Sequence, residues 1–524
     1  MNIDLSIALL YNQQRLTKKP ESSYDNDNYY ILKNEPLEEG IIPNSVTHLT
    51  FGFHFNQLLK KGVIPNSVTH LNFESETNSL LKEGIIPNSV THLHFGSGSN
   101  QPLKEGIIPN SVTHLTLGYK FNQPLKKGII PNSVTHLIFG GCFNKPLKEG
   151  DIPNSVTHLT FGDCFNQCLY KGMIPNSVTH LTFGSCFNQS IKNGTIPNNV
   201  RILTFGYCFN QPLRNKLNFM NIFFGNICNS YIPNSVTHLT FGNKFNQVLK
   251  KGDIPDSVIE LKFGYSFNRE LKEGDIPNSV TYLRLGEYQN IKKKMIPNSV
   301  TRLIIGNDFN KPLKKGMIPK SVTHLHFGYS FNQSLTKGVI PKSVTHLYFG
   351  SQFNQPLTKG VIPKSVMDIV FGNEFNQPLT KGVIPKFVTT LIFGREFNQE
   401  LKDGDIPKSV NRIIFGYYFN KKIDYYITNN LIELVLYKHY TMSLLKLNKN
   451  ILIGYYDFYC HNITYNQFNL QIEYSDFKNI NININLIGKI IFKELVEKIF
   501  HPKRIKNMCD TYNITFIDLV EIYS

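Results

Sequence analysis

Residues 232–252, IPNSVTHLTFGNKFNQVLKKG, carry the pattern that decides the fold. Pro233 cannot continue a strand interior, so it marks a corner. Asn234 and Ser235 supply turn chemistry, with short polar side chains suited to satisfying local backbone groups. Val236 to Phe241 then alternates: Leu239 and Phe241 share one face, His238 and Thr240 the other. This predicts a short strand of six residues with one apolar face. Gly242 ends it and permits a sharp bend. Phe245, Leu249 and Ile254 are further apolar anchors, and Lys250-Lys251-Gly252 makes a second turn.

The same unit recurs along most of the chain. Prolines fall at 43, 65, 87, 109, 131, 153, 175 and 197, each 22 residues after the last. They resume at 233, 255 and 277, then at 297, 319, 341, 363, 385 and 407. Two spacings are irregular. Pro197 to Pro233 spans 36 residues and holds a degenerate unit near 211–231, around Phe223, Phe224 and Gly225. Pro277 to Pro297 spans 20, with the shortening near 286–296. A six-residue strand cannot stand alone, so neighbouring copies must pair in parallel at about 4.8 Å per rung. About seventeen rungs give a body roughly 80 Å long. The expected organisation is a flexible segment at 1–28, a repeat array at 29–420 and a C-terminal cap at 421–524. The cap is read as partly helical, from the shared face of Ile491, Leu495, Val496 and Ile499 and from the amphipathic TFIDLVEIY at 515–523.

The inward spacing Val-x-x-Leu-x-Phe matches the leucine-rich-repeat pattern, and 22 residues lies within that class's range of periods. The predicted fold is mainly β: a leucine-rich-repeat-like parallel β-solenoid whose far side is extended, since a 22-residue rung leaves little length for a helix. Residues 121–137, FNQPLKKGIIPNSVTHL, closely resemble the FNIP repeat, named for Phe-Asn and Ile-Pro. The resemblance covers about three-quarters of the chain and is specific, because one long motif recurs in register. It implies kinship with repeat proteins of social amoebae and of mimivirus-like giant viruses. Members of that family often carry an F-box ahead of the repeats, which would connect them to a ubiquitin ligase. Only residues 1–28 precede the array, and YNQQRLTKKPESSYDNDN is polar, so a ligase-adaptor role is not expected.

Composition sets outer bounds. The chain has 524 residues, 41% hydrophobic and 18% charged, which supplies a continuous core and argues against wholesale disorder. A net charge of +17 suggests a polyanionic partner, but the vocabulary of Ile, Asn, Lys, Tyr and Phe without Trp is what AT-rich codons produce. MNIDLSIALLYNQQ has no basic head and reads poorly as a signal peptide. No apolar run approaches a membrane span, and 8 cysteines do not make a disulfide scaffold, so an intracellular setting is expected.

Several polar columns invite functional readings. His48, His70, His92, His114, His136, His158, His180, His238, His324 and His346 all sit five residues after a proline. Metal binding needs convergent ligands, whereas same-face side chains of adjacent rungs run parallel, so a structural ladder of neutral imidazoles is preferred. Cys142, Cys164, Cys186 and Cys208 form a second column, read as free thiols because parallel β-carbons stay too far apart for an unstrained disulfide. The recurring asparagines, such as Asn122, Asn144, Asn166 and Asn188, are expected to bridge backbone groups of successive rungs. Lys60, Lys61, Lys126, Lys127, Lys314 and Lys315 make a basic ridge at the repeat turns. No phosphate loop, zinc motif or nucleophile elbow occurs, so neither catalysis nor a cofactor is expected.

If invariant positions build the scaffold, ligand choice must sit where units differ. The residue between Leu and Phe is usually Thr but becomes Lys262, Arg284, His326 and Tyr348. The two residues after the Gly include Asp163, Tyr207, Tyr265, Tyr329, Glu374 and Arg395. Tyr207, Tyr265, Arg284, Tyr329, Tyr348, Glu374 and Arg395 are the candidate interaction surface, aromatic and arginine-rich as recognition surfaces are. The preferred function is a non-enzymatic scaffold for protein–protein interaction, with host factors as candidate partners; the alternative is polyanion or nucleic-acid binding through the lysine ridge, which is disfavoured because the ridge lacks interleaved aromatics.

Overall fold

The computed structural model describes residues 29–32, 37–52, 55, 57–74, 81–214, 230–437, 440 and 452–456. The expected flexible 1–28 segment, the helices placed after 485 and the degenerate unit around Phe223 lie outside these residues.

The described strands form one parallel sheet of twenty. Each pairs with the next in sequence and in register, as in His48↔His70 and Leu49↔Leu71. Neither irregular spacing breaks the sheet. Ile202 pairs with His238 across the long unit, and Tyr282 pairs with Arg302 across the short one. Both length changes are absorbed in the return path of the rung. In the short unit Lys294 takes the left-handed conformation (φ 66°) that glycine holds at the other turns, such as Gly252 at φ 85°.

Most strands have three residues, such as His238–Thr240, and not the six expected. The alternation holds over the longer stretch, but proline closes one end and the glycine turn closes the other. Beyond Asn420 a single helical turn, Tyr425–Thr428, leads to Glu433–Tyr437 and Leu452–Tyr456, which continue the same sheet. Among the described residues of the array, the return path carries turns and no helix.

A regular rung contributes six apolar side chains to the core. Val236, Leu239, Phe241, Phe245, Leu249 and Ile254 are all buried, and their counterparts stack into columns through the array. Fully burying one such side chain contributes about 1.5–3 kcal/mol. Ser99 and Gln289 interrupt the second phenylalanine column, each buried where that ring would sit.

The strand-end glycine answers to a tighter constraint than bending. A Cβ on Gly162 would land on the carbonyl oxygen of Gly140 in the preceding rung, and Gly184 would meet Gly162 in the same way. Only glycine allows two backbones this close.

Polar side chains then tie rung to rung. The Asn166 Oδ1 accepts from the backbone N–H of Asn188 at 2.9 Å and from Gln189 Nε2 at 3.1 Å. The same bond recurs as far as Asn420 and Asn398, which bears out the bridging role expected of the asparagines. Serine differs from expectation: Ser177 Oγ donates to the carbonyl of Val156 in the preceding rung at 2.6 Å, and not to its own turn.

Stacking distances reveal curvature. Ring centroids along the first histidine column, on the outer face of the sheet, lie 4.0–4.2 Å apart. The first phenylalanine column, just beneath the sheet, runs at 5.4–5.6 Å over Phe139, Phe161, Phe183 and Phe205. The second, deeper column runs at 6.0–6.2 Å over Phe143, Phe165, Phe187 and Phe209. The rungs therefore fan out, with the histidine face inside the curve. A widening of about 2 Å across a layer roughly 10 Å thick turns each rung by on the order of 10°.

The ladder predicts a contrast between two asparagines. Asn188→Ala removes the acceptor for Asn210 N–H and Gln211 Nε2 and should cost about 1–3 kcal/mol. Asn154→Ala, at an exposed corner, should stay within about 0.5 kcal/mol. Urea denaturation followed by circular dichroism measures both, and equal midpoints would remove the ladder from the account.

Candidate functional site

The outer face of the sheet is concave and carries two columns of side chains per strand. One column holds the histidines. Seven of them, His48 to His180, form a continuous stack, with His324 and His346 a second, shorter one at 4.1 Å. His238 stands between Ile202 and Glu260 and joins neither. Each threonine before a histidine acts twice. Thr69 Oγ1 donates to the carbonyl of Thr47 at 3.2 Å and lies 2.9 Å from His70 Nδ1. The rings lie face to face, so their nitrogen lone pairs run parallel and do not converge on one point.

Burial in the stack disfavours the charged imidazole at most of these positions. Burial, followed by the charges of His48, His92 and His114, holds His70 down at about 4. His48, His92, His114, His158, His180 and His324 are also lowered, with burial the leading cause. The neighbour repulsion expected from the column contributes in second place.

The cysteine column lies on the turn after the strand-end glycine. Cys142, Cys164, Cys186 and Cys208 are free thiols. Desolvation, followed by the flanking Cys142 and Cys186, raises the Cys164 thiol.

The seven candidate interaction residues separate into two groups. Arg284 and Tyr348 lie on strands, on the concave face. Tyr207, Tyr265, Tyr329, Glu374 and Arg395 lie on the exposed turn that follows the glycine. They form a rim at one side of the sheet and do not share its face. On this rim the Tyr265 hydroxyl lies 2.8 Å from that of Tyr288 and donates to Asp308 at 2.8 Å. Arg395 stacks over Tyr417 and Tyr418 at 5.3 and 5.4 Å.

The concave face itself changes character along the array. Early strands repeat His-Leu-Thr, as at His114–Thr116 and His158–Thr160. Between Glu260 and Tyr348 they read ELK, YLR, RLI, HLH and HLY. There Lys262 and Arg302 approach the Tyr282 ring from neighbouring rungs, at 5.3 and 5.4 Å. His326 stacks on Tyr348 at 3.9 Å. Arg284 reaches Glu287, a carboxylate almost fully buried at 3% exposure, at 3.1 Å. Tyr282, Arg302 and Glu287 were not singled out from sequence. The signal was present, since Tyr282 and Arg302 break the histidine column at the rung of Arg284 and the one after it.

The FNIP repeat family matches residues 34–76, 100–142, 143–186 and 187–220, and a run of overlapping segments from 245 to 426. Among solved structures, the chain is similar to CroV588, a circular leucine-rich-repeat protein of a giant virus. The two share 39% identity at a TM-score of 0.66 over 81% of this chain. This chain spans 64% of that protein's length. YopM from Yersinia enterocolitica aligns over 78% of this chain and 77% of its own, at 14% identity and a TM-score of 0.37. No curated protein matches.

The histidine stack predicts acid sensitivity. With folded pKa values below the ordinary 6.5, the unfolded chain binds more protons as pH falls. Stability should be constant above about 6.5 and decline from there towards about 4. Thermal melts from pH 7.5 to 5.0 should show a falling midpoint; a constant midpoint would contradict the stack's neutrality.

Proposed function

The chain belongs to the FNIP repeat family, and from that premise we propose that it is a non-enzymatic scaffold taking a protein partner on its concave face, between Glu260 and Tyr348. The supporting observation is the change of chemistry along that face. The repeated polar positions are used within the fold: threonine, serine and asparagine in rung-to-rung bonds, histidine in stacking. None of these columns gathers a nucleophile, a base and a charge-stabilising group at one point, as catalysis requires. Where the units diverge, the face presents Lys262, Tyr282, Arg284, Arg302, His326 and Tyr348 on five consecutive strands. Tyrosine and arginine held rigid by mutual stacking are the residue types that dominate recognition energies. The turn residues Tyr207, Tyr265, Tyr329, Glu374 and Arg395 would act as the rim around such an interface.

A leucine-rich-repeat-like solenoid is a form widely used for protein–protein interaction, and no helix among the described residues is long and apolar enough to cross a membrane. The partner class we propose is a host protein met inside the cell, because CroV588 belongs to a giant virus.

The test uses the array's own vocabulary. Tyr282→His, Arg302→His, Arg284→Thr and Tyr348→Thr install what the early rungs carry at the same places. Cross-linking mass spectrometry in amoebal lysate compares this fourfold variant with the native chain. Cross-links from the 260–348 face should fall by about tenfold for at least one partner while the melting midpoint holds. An unchanged set of partners, in unchanged amounts, would remove this face as the site.

A further inference from the structure

The lysines at the repeat turns are not one uniform ridge. Four residues before each proline, the column begins Glu39, Lys61, Glu83, Glu105, Lys127, Glu149. Acid and base are interleaved there, and the charges largely cancel. From the short unit the same position reads Lys293, Lys315, Lys337, Lys359 and Lys381 on five successive rungs, and an acid returns only at the last, as Asp403. One residue after the proline a second change occurs nearby. Asn44, Asn66, Asn88 and Asn110 represent the early rungs, but the last five carry Lys320, Lys342, Lys364, Lys386 and Lys408. Residues 34–150 hold 9 basic and 8 acidic side chains, while residues 297–408 hold 14 and 7.

The structure aligns these lysines. The stem of Lys315 lies over Gly338 of the next rung, Lys337 over Gly360, Lys359 over Gly382 and Lys381 over Gly404, each so near that a Cβ on the glycine would meet it at 3.2–3.7 Å. The first column therefore points one way along the array. The second stands on the adjoining corner, five residues further along the chain. All ten lysines are exposed, and among the described residues none pairs with a carboxylate. Two unpaired rails of five charges thus run side by side for roughly 20 Å along one edge of the solenoid. This edge is separate from the concave strand face.

We infer that this double lysine rail binds the phosphodiester backbone of a single-stranded nucleic acid. Its form favours a linear polyanion. The charges recur once per rung in two files, and the column next to the second rail is Ser321, Ser343, Ser365 and Ser409, too polar to seat in a lipid surface. A flexible strand can adjust its phosphates to the rung spacing, while the phosphates of a rigid duplex wind away from a rail that stays on one edge. One exposed aromatic, Phe387, lies under Lys386 at 4.9 Å. A single ring provides no stacking platform, so binding is through charge and indifferent to sequence.

The experiment is fluorescence anisotropy with a labelled 20-nucleotide uridine homopolymer and the full chain, across a salt series. Lys320, Lys342, Lys364, Lys386 and Lys408 are all changed to Asn, the residue the early rungs carry there. The control changes Lys60, Lys82, Lys104, Lys126 and Lys148 to Thr, as at Thr336, Thr358 and Thr380. Both variants remove five charges with residues the fold already accommodates, and melting curves confirm that they fold. The rail variant should bind at least about tenfold more weakly, with a salt slope shallower by about 3, while the control stays within about twofold. The concave-face variant should bind the homopolymer as the native chain does, so the two surfaces fail or stand independently. Equal losses in the rail and control variants, no binding by the native chain, tighter binding to a duplex of the same length, or capture only by phosphatidylserine vesicles would each overturn the assignment.

Discussion

No rung of this protein can hold its shape without the next one. A three-residue strand closed by a proline corner and a glycine turn gains almost nothing alone, because its backbone groups and six apolar side chains are completed only by its neighbours. Close approach of successive backbones is therefore the condition on which the rest depends. It explains why glycine ends the strand in all the proline-marked rungs but one, where Glu74 takes its place. It also explains why serine, threonine and asparagine each spend their hydrogen bonds on the rung before or after their own. The array tolerates a long unit and a short one because both keep the strands in register and vary only the return path.

Stacking also sets the shape. Flat imidazoles on the outer face of the sheet pack at about 4 Å, whereas the phenylalanines beneath are held at about 6 Å. The difference records how the array bends around its histidine face. That face then becomes an enclosed surface on which a partner would meet many rungs at once. Most of its residues are committed to the fold, so the capacity to discriminate collects at the few rungs where the repeat is broken. The same division applies to charge. Where acid and base alternate at the turns the edge is nearly neutral, and where the alternation stops it becomes a rail.

Much of this was legible in the sequence. The period, the parallel pairing, the six apolar columns and the asparagine bridges follow from where residues recur, since a stacked repeat turns sequence spacing directly into spatial neighbourhood. What the sequence hid depends on distances within a rung. Alternation over Val236 to Phe241 could not reveal that the ladder holds only His238–Thr240. Turn chemistry at Ser177 could not show that its hydroxyl reaches the previous rung. Arg284 and Tyr265 looked like members of one surface, yet a single glycine between their positions in the unit sends one to the concave face and the other to the rim. Curvature was out of reach, because it comes from the difference between two stacking distances.

A distance across the array tests that curvature most directly. With genetically encoded spin labels at the exposed corners Asn66 and Lys408, double electron–electron resonance reports the span of fifteen rung steps. A fan of about 10° per rung places the labels about 50 Å apart, as the histidine-inward arc requires. A straight stack at the ordinary strand spacing would give about 70 Å, and a distribution centred there would contradict the arc.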